Sequence, residues 1–181
     1  MTKKVLILSS TPRRGGNSDV LCDRFADGAR SVGAEVEKIL LREKKIGVCV
    51  GCGACSFEKK PCPQKDDVDE IVDKVVAADA IVLATPVYFY SMSAQLKTLI
   101  DRFCARYEEV VGKDFYFIAT AADDSKAAME RTFEGMRGFL DCLPNSKERG
   151  ALYGVGVWRV GEAEKSPLVD EAFALGKTVV D

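Results

Sequence analysis

Short apolar runs alternate along the chain with segments whose apolar residues recur every three or four positions. Val5-Leu6-Ile7-Leu8 has almost no polar alternation, which predicts a strand buried on both faces. Leu21, Phe25, Ala29 and Val32 then follow at helical spacing, and Gly33 supplies the stop. A second strand is expected from Val36 to Leu41. Past a cysteine-rich stretch, Asp66 or Asp67 can cap a helix whose stripe is Val68, Ile71, Val72, Val75 and Val76. Ala80 to Ala84 and Phe115 to Ile118 read as the third and fourth strands, and a Gly-interrupted run from Ala151 to Val157 as the fifth. The intervening helices are marked by Leu96, Leu99, Ile100 and Phe103, and by Met129, Phe133, Met136, Leu140 and Leu143. Leu168, Ala172, Leu175 and Val179 mark the last helix.

Five βα units in succession predict one α/β domain over residues 1–181. Its parallel sheet would be covered by helices on both faces, in the strand order 2-1-3-4-5. The length suits a single core that needs no disulfide. No repeat, linker or membrane-length apolar run interrupts the pattern.

Composition narrows the chemistry. With 26 Lys and Arg against 28 Asp and Glu, the balance argues against a nucleic-acid partner. Histidine is absent, which removes His-based nucleophilic triads and imidazole metal sites. Seven cysteines in a chain without an export signal fit a cytoplasmic protein using thiols for metal or redox chemistry. No membrane partner is expected.

The unusual residues fall in four stretches: Ser9 to Ser18, Cys49 to Cys62, Thr85 to Ser93, and Thr120 to Ser125. Each follows a predicted strand and precedes a helix, so all four belong at one edge of the sheet, where such folds bind ligands. The first combines hydroxyls, the pair Gly15-Gly16 and a helix start, a set that can surround a phosphate with donors. Ser18 alone reads as an ordinary cap; the whole run reads as an anion site, with Arg13 or Arg14 able to add a charged bond. The third stretch, Thr85-Pro86-Val87-Tyr88-Phe89, can flank a flat ring, although either aromatic alone is more often core.

Cys49-x2-Cys52-x2-Cys55-x6-Cys62 is the most specific local signal. Close triplets with a fourth thiol further on are used for [4Fe–4S] clusters, whereas zinc more often takes two separated pairs. Cluster, zinc and empty loop stay open on spacing alone. Cys22, Cys104 and Cys142 are expected to be small buried hydrophobes.

Ser-x-Pro-Arg-x-Gly-Gly-Asn-Ser at Ser10 to Ser18, Thr-Pro-Val-Tyr-Phe at Thr85 to Phe89, and Ser-Ala-Gln-Leu-Lys with Asp-Arg between Ser93 and Arg102 carry a resemblance. They resemble the NADPH-dependent FMN reductase and iron–sulfur flavoprotein branch of the flavodoxin superfamily, over most of residues 4 to 105. Ser9 departs from the glycine that relatives often carry there. The resemblance implies a flavodoxin-like three-layer α/β/α sandwich binding FMN. Ser10, Arg13, Asn17 and Ser18 would hold the phosphate, the backbone of Pro86 to Phe89 the ribityl chain and ring, and Thr120, Ala121 and Asp123 would lie nearby. Thr11, Thr85, Val87 and Tyr88 complete the candidate cofactor set. The four cysteines of the loop, with Asp66-Asp67 after them, are similar to the cluster motif of iron–sulfur flavoproteins.

The expected function is an FMN-dependent oxidoreductase, fed by NAD(P)H or ferredoxin and passing electrons to a small-molecule or protein acceptor. The resemblance also implies a homodimer or higher oligomer. No side chain is named as catalytic. The competing expectations are an electron carrier without its own substrate and a zinc-stabilised binding module.

Overall fold

The computed structural model describes residues 2–180; Met1 and Asp181, the ends of the predicted domain, lie outside the described residues. Its elements in chain order are β1 (Lys4–Ser9), α1 (Asn17–Ser31), β2 (Glu35–Leu40), α2 (Val68–Ala77), β3 (Ala80–Tyr88), β4 (Ser91–Met92), α3 (Ala94–Arg102), β5 (Asp114–Thr120), α4 (Glu130–Leu140), β6 (Lys147–Gly154) and α5 (Leu168–Lys177). The sheet runs β2-β1-β3-β5-β6 with every neighbouring pair parallel. This is the predicted order with one addition. β4 is a two-residue strand that folds back antiparallel on the end of β3.

Period-two alternation along strands with apolar residues on both sides builds two core layers. Leu6, Leu8, Ile81, Leu83, Phe115 and Phe117 face α2, α3 and α4. Val5, Ile7, Val82, Tyr116 and Ile118 face α1 and α5. Glycine sets how closely α1 and α5 approach. A Cβ on Gly28 or Gly176 would collide with the backbone carbonyl of Phe173 or Phe25 on the opposite helix. In the same layer Phe25 and Tyr116 meet edge to face at 5.2 Å.

β3 runs longer than its apolar run predicted, because β4 extends the pairing as Val87 to Met92 and Tyr88 to Ser91. The two-residue turn between them holds Phe89 at φ 50° and Tyr90 at φ 61°. Two positive φ values suit the twist of a tight hairpin, but Asn-Gly is the usual occupant, and bulky residues there are strained. The aromatic tip is therefore held against backbone preference. No helix among the described residues is long and apolar enough to cross a membrane.

Candidate functional site

The first βα connection is held almost entirely by its own polar groups. Ser9 Oγ donates to Asp19 Oδ1 at 2.7 Å, and Arg42 Nη1 donates to Asp19 Oδ2 at 2.8 Å. Ser10 Oγ donates to the Ala84 carbonyl at 2.8 Å, while Ser93 Oγ donates to both the Ser10 carbonyl and hydroxyl. Asn17 Nδ2 donates to the Arg159 carbonyl and Asn17 Oδ1 accepts from Ala163 N–H. Ser18 and Thr120 share a 2.7 Å hydroxyl–hydroxyl bond. The loop is thus locked to β3, β5 and the segment after β6.

A cavity of about 100 Å³ opens above this network. Thr11, Arg13, Gly16, Asn17 and Ser18 form one wall, and Pro86, Val87 and Tyr88 the second. Thr120 to Ala122, with Val157 and Trp158, close it. Of the predicted cofactor residues, Ser10 and Thr85 lie buried beneath this cavity, and Phe89 is wholly exposed beside it. Asp123 braces the fourth loop, where its carboxylate accepts from Ser125 N–H and its carbonyl from Gly156 N–H. Trp158 belongs to none of the motifs that stand out in the sequence, yet it borders this cavity. Its ring is exposed and lies 6.0 Å from the Arg13 guanidinium, while its carbonyl accepts from Arg13 Nη1 at 2.8 Å.

The space fits a phosphate. Gly16, rather than Ser18, stands at the cap of α1, so the free N–H groups of the first turn open into the cavity. Asp19 and Val20 N–H return to the Gly16 carbonyl, which leaves those of Asn17 and Ser18 for a ligand. A Cβ on Gly16 would stand 2.8 Å from Thr11 Oγ1 and 3.2 Å from the Arg13 carbonyl, filling the cradle. The cavity is too small for a whole mononucleotide. A phosphate seated in it would leave a flavin ring on the open rim beside Tyr88 and Trp158.

The cysteine loop is built differently. Gly51 and Gly53, at φ 62° and 80°, turn the backbone where a side chain would strain it. Cys49 and Cys52 are exposed, and Cys55 and Cys62 are half-buried. Both ends of the loop are clamped by Arg102, at the end of α3. Its guanidinium donates to Asp66 at 2.6 and 3.2 Å, to the Gly47 carbonyl at 2.9 Å and to Cys62 Sγ at 3.4 Å. Burial pushes the Asp66 carboxyl up, but the Arg102 bonds, with those from Gly47 and Val68 N–H, outweigh it and hold the group below its ordinary value. Asp67 stands at the cap of α2 but makes no side-chain capping bond, because its carboxylate accepts from Lys45 N–H, while Asp66 Oδ1 accepts from Val68 N–H.

Among the described residues, no three Cys, Asp or Glu side chains stand close enough together to hold a metal ion. The predicted ligands Cys49, Cys52, Cys55 and Cys62 are therefore not gathered in this arrangement. Cys62 is turned to Arg102, and Cys55 lines a separate cavity with Cys104. Cys22 is buried as expected, and burial pushes its thiol up. Cys104 and Cys142 are exposed, against expectation. Both lie where α-helical spacing breaks, Cys104 in a 3-10 turn just past α3 and Cys142 just past α4, so a helical stripe no longer predicts their burial.

The family model described as NADPH-dependent FMN reductase matches residues 3–144. An iron–sulfur flavoprotein of Archaeoglobus fulgidus is 32% identical over 95% of this chain and 91% of its own length. A second from that organism is 45% identical over 55% of this chain, and one from Methanocaldococcus jannaschii is 46% identical over 55%. Those alignments span 44% and 51% of the relatives, so the chain spans about half the length of these two. Among solved structures, an NAD(P)H:quinone oxidoreductase from Methanothermobacter marburgensis superposes with a TM-score of 0.78. It covers 100% of this chain and 98% of that one at 18% identity, a likeness of fold.

Proposed function

The chain belongs to the NADPH-dependent FMN reductase family, and from that premise we propose that it binds FMN at the strand-end cavity and moves electrons from a reduced nicotinamide to a small acceptor such as a quinone. The observation that carries this reading is the Gly16 cradle at the start of α1, walled by all the loops that carried the sequence signal except the cysteine loop. Asn17 and Ser18 N–H, with the Thr11 hydroxyl, would hold the phosphate; Arg13, already bonded to the Trp158 carbonyl, would close its outer side. Backbone from Pro86 to Tyr88 would run along the sugar chain, and Tyr88 and Trp158 would border the ring. Bound FMN supplies hydride acceptance and the release of electrons singly or in pairs. The chain's own contribution is to fix the cofactor with one ring edge open to a donor or acceptor. The exposed aromatics Tyr88, Phe89 and Tyr90 support a homodimer in which a second copy covers this rim.

Titration with FMN, followed by steady-state NADH and NADPH oxidation with a quinone, tests the reading. Stoichiometric yellow protein that turns over is expected. Flavin binding without turnover on any acceptor would make the chain an electron carrier instead, and failure to bind FMN would sink both.

A second reading concerns the cysteine loop alone. The four-cysteine spacing and the iron–sulfur flavoproteins among its relatives favour a [4Fe–4S] cluster on Cys49, Cys52, Cys55 and Cys62. The loop would have to close to gather them. Iron and sulfide analysis after anaerobic reconstitution decides it, and zinc in their place would favour a structural knuckle.

A further inference from the structure

Parallel pairing of β1 with β2 sets Ser9 beside Leu40, so the loops leaving the two strands start side by side. Arg42, in the 3-10 turn directly after β2, therefore meets the first loop. Its Nη1 donates to Asp19 Oδ2 at 2.8 Å and makes a longer bond to the Thr11 carbonyl at 3.5 Å. Asp19 stands one residue past Ser18, in the first turn of α1, and its other oxygen accepts from Ser9 Oγ. The Arg42 and Asp19 side chains are only 12% and 6% exposed. Two further charges flank the pair. Lys38 Nζ lies 3.8 Å from Asp19 Oδ1 but hydrogen-bonds Asp23, and Glu43 lies 3.8 Å from Arg42 Nε. Among the described residues, Arg42 is thus the cation hydrogen-bonded to Asp19.

Asp19 sets a problem for a loop that is to hold phosphate. A carboxylate in the first turn draws on the same positive helix end that a phosphate needs, and the two anions repel. Stability is a weak reason for the pair, since replacing both charges of a buried ion pair together often costs little. Its effect on the charge behind the cradle is the larger one.

We infer that Arg42 is a positioning residue for the cofactor phosphate, an inference that rests on the flavin reading above. Arg42 lines no part of the cavity, unlike Arg13 at its wall. It acts from behind, by cancelling the Asp19 charge and tying Thr11 to the start of α1. The free N–H groups of Asn17 and Ser18 then keep their full pull on a doubly charged ligand. Without the cation, Asp19 faces the same ligand uncompensated, and a second charge on the phosphate is repelled instead of rewarded. The device therefore sets which ionisation state of the phosphate the loop prefers.

The test titrates the full-length chain with FMN, followed by flavin fluorescence, from about pH 5 to about pH 8. Across that range a phosphate monoester gains its second charge, near about pH 6. The parent chain is expected to bind more tightly as pH rises. Arg42→Met should bind about 30-fold more weakly at the upper end and lose the rise. Asp19→Asn combined with Arg42→Met removes both charges and should return to within about threefold of the parent. Arg42→Lys keeps the cation and should keep the rise with pH. Full affinity in Arg42→Met, a rise that survives in it, or a double variant no tighter than Arg42→Met would each overturn the inference. Should Arg42→Met fail to fold, the other two variants decide, and loss of FMN affinity in either overturns it. Absence of FMN binding by the parent is seen before any variant and overturns the flavin reading itself, and this inference with it.

Discussion

The loop proposed to hold phosphate and the cysteine loop follow adjacent strands, β1 and β2, at the same edge of the same sheet, yet they are finished to different degrees. In the first, Ser9, Ser10, Thr11, Asn17 and Ser18 are all buried, and the side chains of Ser9, Ser10, Asn17 and Ser18 are bonded to α1, β3, the segment after β6 and β5. In the second, Val48, Val50 and Phe57 are 65%, 68% and 87% exposed, and order is concentrated at the base, where Arg102 grips Gly47 and Asp66. A loop whose polar groups are already satisfied loses little freedom when a ligand arrives. A loop that leaves apolar residues and thiols in solvent has contacts still to gain, from a metal or a covering chain. The comparison teaches that one edge can carry a loop whose polar side chains are already satisfied beside one whose apolar residues and thiols stay in solvent.

The strongest way to break the comparison is to cut the clamp. Arg102 and Asp66 have side chains only 3% and 6% exposed. Arg102→Ala leaves a buried carboxylate without its cation, a change that costs about 3–5 kcal/mol. Urea unfolding should show that loss, and trypsin should cut after Lys59 sooner than in the parent chain. If the loops are separate units, FMN affinity of the folded variant moves by no more than about threefold. A parallel collapse in affinity would show that they form one unit.

The converse experiment strikes the cradle. Gly16 has φ −65° and ψ 159°, values open to any residue, so a substitution there is judged on space alone. Gly16→Val puts atoms where Thr11 Oγ1 already stands 2.8 Å from the ideal Cβ position. Fluorescence titration should show FMN binding weakened about 100-fold, equivalent to ~2.7 kcal/mol. Trypsin cleavage after Lys59 should stay at the parental rate.

The aromatic hairpin gives a smaller effect with opposite signs on stability and function. Replacing Phe89-Tyr90 with Asn-Gly relieves two strained positive φ values, worth about 1–2 kcal/mol of stability by thermal or urea unfolding. Turnover and self-association should both fall, since the aromatic tip is lost. A double variant that gains stability and keeps full turnover would leave the strain without a purpose at this site.

Much of this architecture is legible in sequence because burial on both faces of a parallel strand leaves an unbroken apolar run, as in Val5 to Leu8 and Ala80 to Ala84. β4 escaped notice since a two-residue strand has no period, and Phe-Tyr is not a recognised hairpin pair. The loops of the cavity stood out through their residue types, but the partners of each side chain did not. Ser10 carries the right chemistry for an anion and spends it on the Ala84 carbonyl, a pairing 74 positions away that no local pattern reveals. Arg102 stood out only as the end of the Ser93 to Arg102 motif, and nothing local in it foretold burial. It is buried only because the cysteine loop folds back over it. Cys104 was misjudged for the related reason that α3 ends two residues before it.

The smallest effect concerns acid, and it separates the two loops by their chemistry. Asp66 titrates below its ordinary 3.8 in the folded chain, because the Arg102 and backbone bonds overcome its burial. A carboxyl with a lowered folded pKa stabilises the fold above its unfolded pKa, and that contribution fades as pH falls through 3.8 toward the lower folded value. Protonation removes the charge that Arg102 faces and weakens its bonds to Asp66, while the Gly47 carbonyl contact remains. The base of the cysteine loop should therefore loosen first below about pH 4. Pepsin cleavage within 48–65, followed from pH 5 to 3, should rise in that window, with no matching rise within 9–18. Arg102→Lys keeps the charge but not the paired bonds, so its onset should move to higher pH. If both loops open together, the acid response is a property of the whole sheet edge and the contrast drawn from Arg102 does not hold.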